Sequence, residues 1–259
     1  MTNIMILVCE HIQNSFDMSV YGLFKNTTGD VTINVLYYSK FFEAGFFIEV
    51  SDNFYNIKPI EKINFSSENI KKEIERLCDT FYDETKKNIL YYGGGGSSVH
   101  PNTFENIHGL DLFILDVSYS SRTDILTSLV GKTNFFIGCS TLSHNTGFLT
   151  NALLHSSGVD DYKKIIDAFV KTNLNSRLRT DASLIDMGKY SRIVMYLDTV
   201  DRNPEYKIDR TLNYYDLMNL VTDRNLKYKI KNCILYFNMN NSSKKYFFNK
   251  NIKISGIIV

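Results

Sequence analysis

Apolar residues first gather in a short run at residues 4–8, with the length and character of a buried strand. A second cluster, over 34–44, puts Val35, Tyr38, Phe41 and Phe42 at helical spacing and closes on Gly45, which predicts a helix stopping there. Residues 46–50 read as the next strand. Ser66 or Ser67 can cap a helix that reaches about Asp83, because Ile70, Ile74, Leu77, Cys78 and Phe81 fall on one face of it. Residues 88–92 form a third strand that empties into four glycines at 93–96. A fourth strand at 111–117 is followed by a polar turn and a short helix at 123–130, and a fifth strand lies at 135–139. Residues 148–155 and 161–171 read as successive helices. Beyond about residue 175 the pattern thins to a strand at 192–197, a helix at 214–223 and strands at 233–237 and 252–259.

Strands alternating with helices predict an α/β fold with a mainly parallel central sheet and helices on both faces, because parallel strands need crossover connections. Functional groups in such sheets collect at the carboxyl ends of strands. Here those ends hold residues 93–96, 118–121 and 139–145. No repeat or long linker divides the chain, so residues 1–175 read as the core and 176–259 as a continuation of the same domain.

Composition adds limits. The proportions of apolar and charged residues, 44% and 22%, are those of a globular protein. Abundant Asn, Ile, Lys, Tyr and Phe with only three prolines and no tryptophan is the bias of an AT-rich coding genome, viral or protist. The four cysteines are far apart and form no CxxC pair, which points to reduced thiols in a cytoplasmic protein. The apolar run at 4–8 is too short for a signal peptide or a membrane span. Net charge is +1, yet residues 224–259 carry one arginine, seven lysines and no acid; the preceding 223 residues set 28 acids against 21 bases. A basic tail therefore follows an acidic body.

The candidate chemistry is sparse. The glycine run lacks the GxxxxGK[ST] pattern of a phosphate cradle and suits a strand-to-loop turn. Ser118 follows the fourth strand, and as a nucleophile it would need a base, for which His100 is the candidate in a neighbouring loop. Cys139 with His144 is a second such pairing, set against a structural cysteine ending a buried strand. The five histidines have no metal-ligand spacing, so neither metal nor cofactor is expected. Lysines interleaved with Tyr228, Tyr236, Phe237, Tyr246, Phe247 and Phe248 fit a single-stranded nucleic-acid binder, or a half-buried strand at 246–258 with a lysine-rich outer face.

Three segments carry a family resemblance. Residues 89–96, Ile-Leu-Tyr-Tyr-Gly-Gly-Gly-Gly, are similar to the strand of caspases and metacaspases that ends Tyr-Ser-Gly-His-Gly. Residues 112–121, Leu-Phe-Ile-Leu-Asp-Val-Ser-Tyr-Ser-Ser, resemble their next strand, which ends Asp-Ala-Cys-x-Ser-Gly. Residues 135–141 and 147–154 resemble the following strand and helix start. The resemblance covers roughly residues 4–170 and implies the caspase-like three-layer fold of the clan CD peptidases. It places Gly94 (Gly95 if the register slips by one) at the catalytic histidine position and Ser118 at the catalytic cysteine position. Glycine supplies no base, and residues of a catalytic unit fail together. The expectation is an inactive pseudo-protease that acts through protein–protein contacts as a regulator or decoy in apoptosis. Its implied partner is a caspase or adaptor, or a second copy through a sheet edge. The alternatives are an atypical active endopeptidase using Ser118 with His100 or Cys139 with His144, and a nucleic-acid-binding protein.

Overall fold

The computed structural model describes residues 1–10, 23, 29–39, 44–51, 54–60, 67–94, 99–141, 148–174, 177–200, 214–249 and 254–259. The strands are β1 (Thr2–Glu10), β2 (Val31–Ser39), β3 (Ala44–Ser51), β4 (Phe54–Ile60), β5 (Lys87–Gly94), β6 (Leu110–Asp116), β7 (Thr133–Gly138), β8 (Asp181–Asp186) and β9 (Ile234–Met239). They form one nine-stranded sheet in the order β4-β3-β2-β1-β5-β6-β7-β8-β9. Its centre, β2-β1-β5-β6-β7, is parallel. Antiparallel pairs, β3-β4 on one side and β8-β9 on the other, flank that centre.

Successive side chains of a strand point to opposite faces, and here both faces are buried. Met5 and Leu7 of β1, with Leu90, Phe113 and Leu115, meet the apolar stripe Ile70, Ile74 and Leu77 of helix α1 (Ser67–Phe81). Ile125 and Leu126 of α2 (Thr123–Ser128) join the same layer. On the other face Ile4, Ile6, Val8, Ile89, Leu112 and Ile114 pack with Tyr162, Ile165, Ile166 and Phe169 of α4 (Val159–Thr172), which follows the one-turn α3 (Asn151–Leu154). The result is the predicted three-layer, caspase-like arrangement. The amino ends of the central strands are held by buried asparagines. Asn3 Nδ2 donates to Asn88 Oδ1 at 2.9 Å, Asn34 Nδ2 donates to Asn3 Oδ1 at 3.4 Å, and Asn88 Nδ2 donates to the carbonyl of Asp83 at 2.8 Å.

Beyond β8 come the short α5 (Met187–Tyr190), a 3-10 turn (Val194–Thr199), α6 (Leu217–Leu220), α7 (Arg224–Cys233) and, after β9, α8 (Asn241–Asn249). Asp186, Asp216 and Asp223 cap α5, α6 and α7 by accepting backbone N–H bonds from Lys189, Met218 and Leu226. Residues 254–258 run along the sheet's carboxyl end. Ile258 bridges to Arg122 on one side and Asp216 on the other, and Ile257 and Ile258 are fully buried.

Several elements differ from the sequence expectation. Of the helix expected at 34–44, residues 34–39 lie in strand β2, because Val35, Leu36, Tyr37 and Tyr38 are all buried and so serve both sheet faces, and Ala44 opens β3. The strand expected at 192–197 is the 3-10 turn, and 252–259 contributes only the bridge at Ile258 among its described residues. The strand considered at 246–258 begins as helix α8. Strands β4 and β8 and helix α7 had no counterpart in the sequence reading.

Candidate active site

The parallel register sets Gly93 of β5 against Asp116 of β6, so Gly94 and Ser118 leave adjacent strands at the same end of the sheet. Asp116 is completely buried just below this rim. Its carboxylate accepts from the Tyr91 hydroxyl at 2.7 Å and from the Phe148 N–H at 3.2 Å, tying β5, β6 and the segment after β7 together. Ser118 is half-buried on the turn that follows. Its neighbour Tyr119 has φ of 59°, the left-handed region that a non-glycine residue enters only when its surroundings hold it there.

The holding bonds are present. Tyr119 N–H donates to the Thr141 carbonyl at 2.8 Å, Ser121 N–H to the Cys139 carbonyl at 2.9 Å, and Cys139 N–H to Ser120 Oγ at 2.9 Å. The Ser118 turn is thereby stitched to the end of β7. That end is fixed in turn by Asp181 at the start of β8, fully buried, which accepts from both the N–H and the hydroxyl of Ser140 at 2.7 Å. Burial pushes the Asp181 carboxyl up to about 6 against those donors.

Gly94 is tightly surrounded. A Cβ built there would lie 3.0 Å from the Tyr92 hydroxyl and 3.2 Å from the Cys9 carbonyl. Glycine itself supplies no base to this rim. His100 stands exposed on the loop leaving β5, its backbone locked to Thr103 by two bonds (N–H to Oγ1 at 3.2 Å, carbonyl to N–H at 2.9 Å) at the start of a 3-10 turn (Pro101–Phe104). Gly95 and His144 lie outside the described residues.

The thiols are placed differently. Cys139 reaches the same end of the sheet, but its side chain is fully buried in the α4-side core. All four cysteines are buried and none is in a disulfide. Burial raises Cys9, Cys78 and Cys233 to about 12, so none of these three is a thiolate at neutral pH. Among the described residues no cluster of His, Cys, Asp and Glu is placed to hold a metal ion, and no helix is long and apolar enough to cross a membrane. Sequence reasoning brought Gly94 and Ser118 together and missed Asp116, Asp181 and the left-handed Tyr119. An acid closing an apolar strand was the visible signal for the first of these.

An architecture of this kind, with a rim built from the ends of central parallel strands, is that of caspase-like cysteine peptidases. No family model and no curated protein sequence matches the chain. Solved structures do. A secreted C11 cysteine protease from Bacteroides thetaiotaomicron, "iotapain", is 11% identical with a TM-score of 0.69, over 99% of this chain and 92% of that one. A secreted C11 cysteine protease of the same organism in complex with an irreversible peptide inhibitor gives 0.70 at 11% identity, over 93% and 85%. An inactive zymogen C11 protease from Parabacteroides distasonis gives 0.68 at 12% identity, over 92% and 84%.

At such identity the likeness shows the fold. It also corrects the functional expectation. These three solved structures, matched over 84–92% of their length, are of cysteine proteases, so the expectation of an inactive pseudo-protease is not upheld and the peptidase alternative fits them better.

Proposed function

We propose that the chain is an atypical caspase-like endopeptidase in which Ser118 is the nucleophile and His100 the general base. In this reading Gly94 and Ser118 stand where the family has its histidine and cysteine. The observation that carries it is the setting of Ser118: a half-buried hydroxyl at the carboxyl end of the central strand β6, on a turn whose left-handed Tyr119 is pinned to β7. The buried Cys139 offers nothing comparable to a substrate.

A serine hydroxyl attacks only when a base removes its proton. Ser118 Oγ bonds to the scissile carbonyl carbon while its proton passes to the His100 imidazole. The C–N bond then breaks as that proton moves to the leaving amine, and water entering by the reverse route frees the acyl group. The exposed position of His100 would let its ring turn toward the rim once a peptide is bound.

The test is a fluorophosphonate probe together with peptides carrying Asp, Arg or Lys before the cut. Ser118→Ala and His100→Ala should each lower kcat/KM by about 10³-fold or more, and the double variant little further, as expected of a unit. Hydrolysis that survives Ser118→Ala but is lost in Cys139→Ala or His144→Ala would transfer the reaction to the other pairing.

A further inference from the structure

On the α1 side of the sheet, at the β2-β3-β4 flank and three or more strands from Ser118, lies a cavity of about 250 Å³. Cross-strand register builds its floor: Leu36 of β2 faces Phe47 of β3, which faces Lys58 of β4. Helix α1 supplies Leu77, Phe81 and Arg76 as the opposite wall. The Phe47 and Phe81 rings stack at 5.2 Å and 11°, and both remain only partly buried, so apolar surface is left open. Among the described residues, the charged side chains that line it are Lys58 and Arg76. Lys58 is exposed on β4, and no acidic side chain among the described residues lines the cavity. Arg76 bonds Glu73 at 2.6 Å, yet its side chain stays half exposed and a guanidinium keeps further donors.

We propose that this cavity binds a small hydrophobic monocarboxylate, its ring or branched alkyl body against Phe47 and Phe81 and its carboxylate on Lys58 and Arg76. The volume agrees: an apolar cavity of about 150 Å³ holds a benzene ring, which leaves room here for a ring and a short acid-bearing tail. A carboxylate on Lys58 and Arg76 gains charge-assisted hydrogen bonds that a neutral group of the same shape does not. The site stands independently of the peptidase reading.

Calorimetric titration of the full chain with 4-phenylbutyrate and with its neutral amide decides the matter. The acid should bind about tenfold or more tightly than the amide. The double variant Lys58→Gln, Arg76→Gln should erase that difference while circular dichroism stays unchanged. Phe47→Ala should weaken both ligands. Equal affinity for acid and amide, an undiminished preference in the double variant, or no heat at millimolar ligand would overturn the proposal. Binding of a peptide ending Phe-Asp without binding of the free acid would overturn it too, by making the occupant a polypeptide.

Discussion

Buried carboxylates set the behaviour of individual residues around the rim. Asp116 is fully buried and accepts from Tyr91 Oη and from the Phe148 N–H. Removing the acceptor strands both, and each stranded buried donor costs about 1–3 kcal/mol. Asp116→Ala should therefore lower the urea-unfolding free energy by about 3 kcal/mol, and Tyr91→Phe by about 1 kcal/mol. Asp216 is likewise fully buried. It caps α6 and accepts from the N–H and hydroxyl of Ser255, the hydroxyl at 2.9 Å, and burial still pushes it up to about 7.

A folded-state value above the unfolded one means that the native chain holds the proton more tightly. The associated stability is complete below about pH 4 and is lost as pH rises through about 6 for Asp181 and about 7 for Asp216. Unfolding midpoints should fall between pH 5.5 and pH 8, with Asp216 contributing up to about 2 kcal/mol. Asp216→Asn should flatten that profile. A midpoint that climbs over the same range would reverse the assignment. Asp181 and Asp216 could not be read from the sequence as buried, because an isolated aspartate carries no periodicity and their serine donors lie 41 and 39 positions away.

Element by element, legibility followed how much of a strand's pattern was local. The strands β1, β5, β6 and β7 announce themselves as short apolar runs ended by glycine or polar turns. β2 did not. A strand buried on both faces has no alternation, and its apolar residues can be threaded on a helical wheel equally well. β8, Asp-Ala-Ser-Leu-Ile-Asp, hides its strand character because its polar residues are buried against partners: Asp181 against Ser140, just past β7, and Ser183 against the Gly256 carbonyl. The sharp end of β7 makes a prediction at this scale. A Cβ on Gly138 would come within 2.5 Å of the Phe136 ring and 2.8 Å of Ser120 Oγ, the atom that receives the Cys139 N–H. Gly138→Ala should cost about 1–3 kcal/mol by overpacking and should loosen the Ser118 turn. Thermal melts would show the first effect and slower fluorophosphonate labelling the second.

For the molecule as a whole, the rim is closed from behind by residues far along the chain. The segment at 254–258 exchanges ladder bonds with Ser121 and Thr123, at 3.0 and 2.8 Å, and buries Ile257 and Ile258. Removing residues 254–259 forfeits two buried isoleucines at about 2–3 kcal/mol each, which should lower the melting temperature by about 10–20 °C. A truncated chain melting within about 3 °C of the intact one would show the segment to be a passive appendage.

The sheet's outer flank carries a different consequence. β4 is an edge strand, and its Lys58-Pro59 pair gives it an exposed cation and a residue with no amide hydrogen to offer. Proline and lysine at an edge are what deter a foreign strand from docking. The flank is thus built against fibril seeding, and Pro59→Val combined with Lys58→Val should turn a well-behaved solution into one that gels or scatters light on standing.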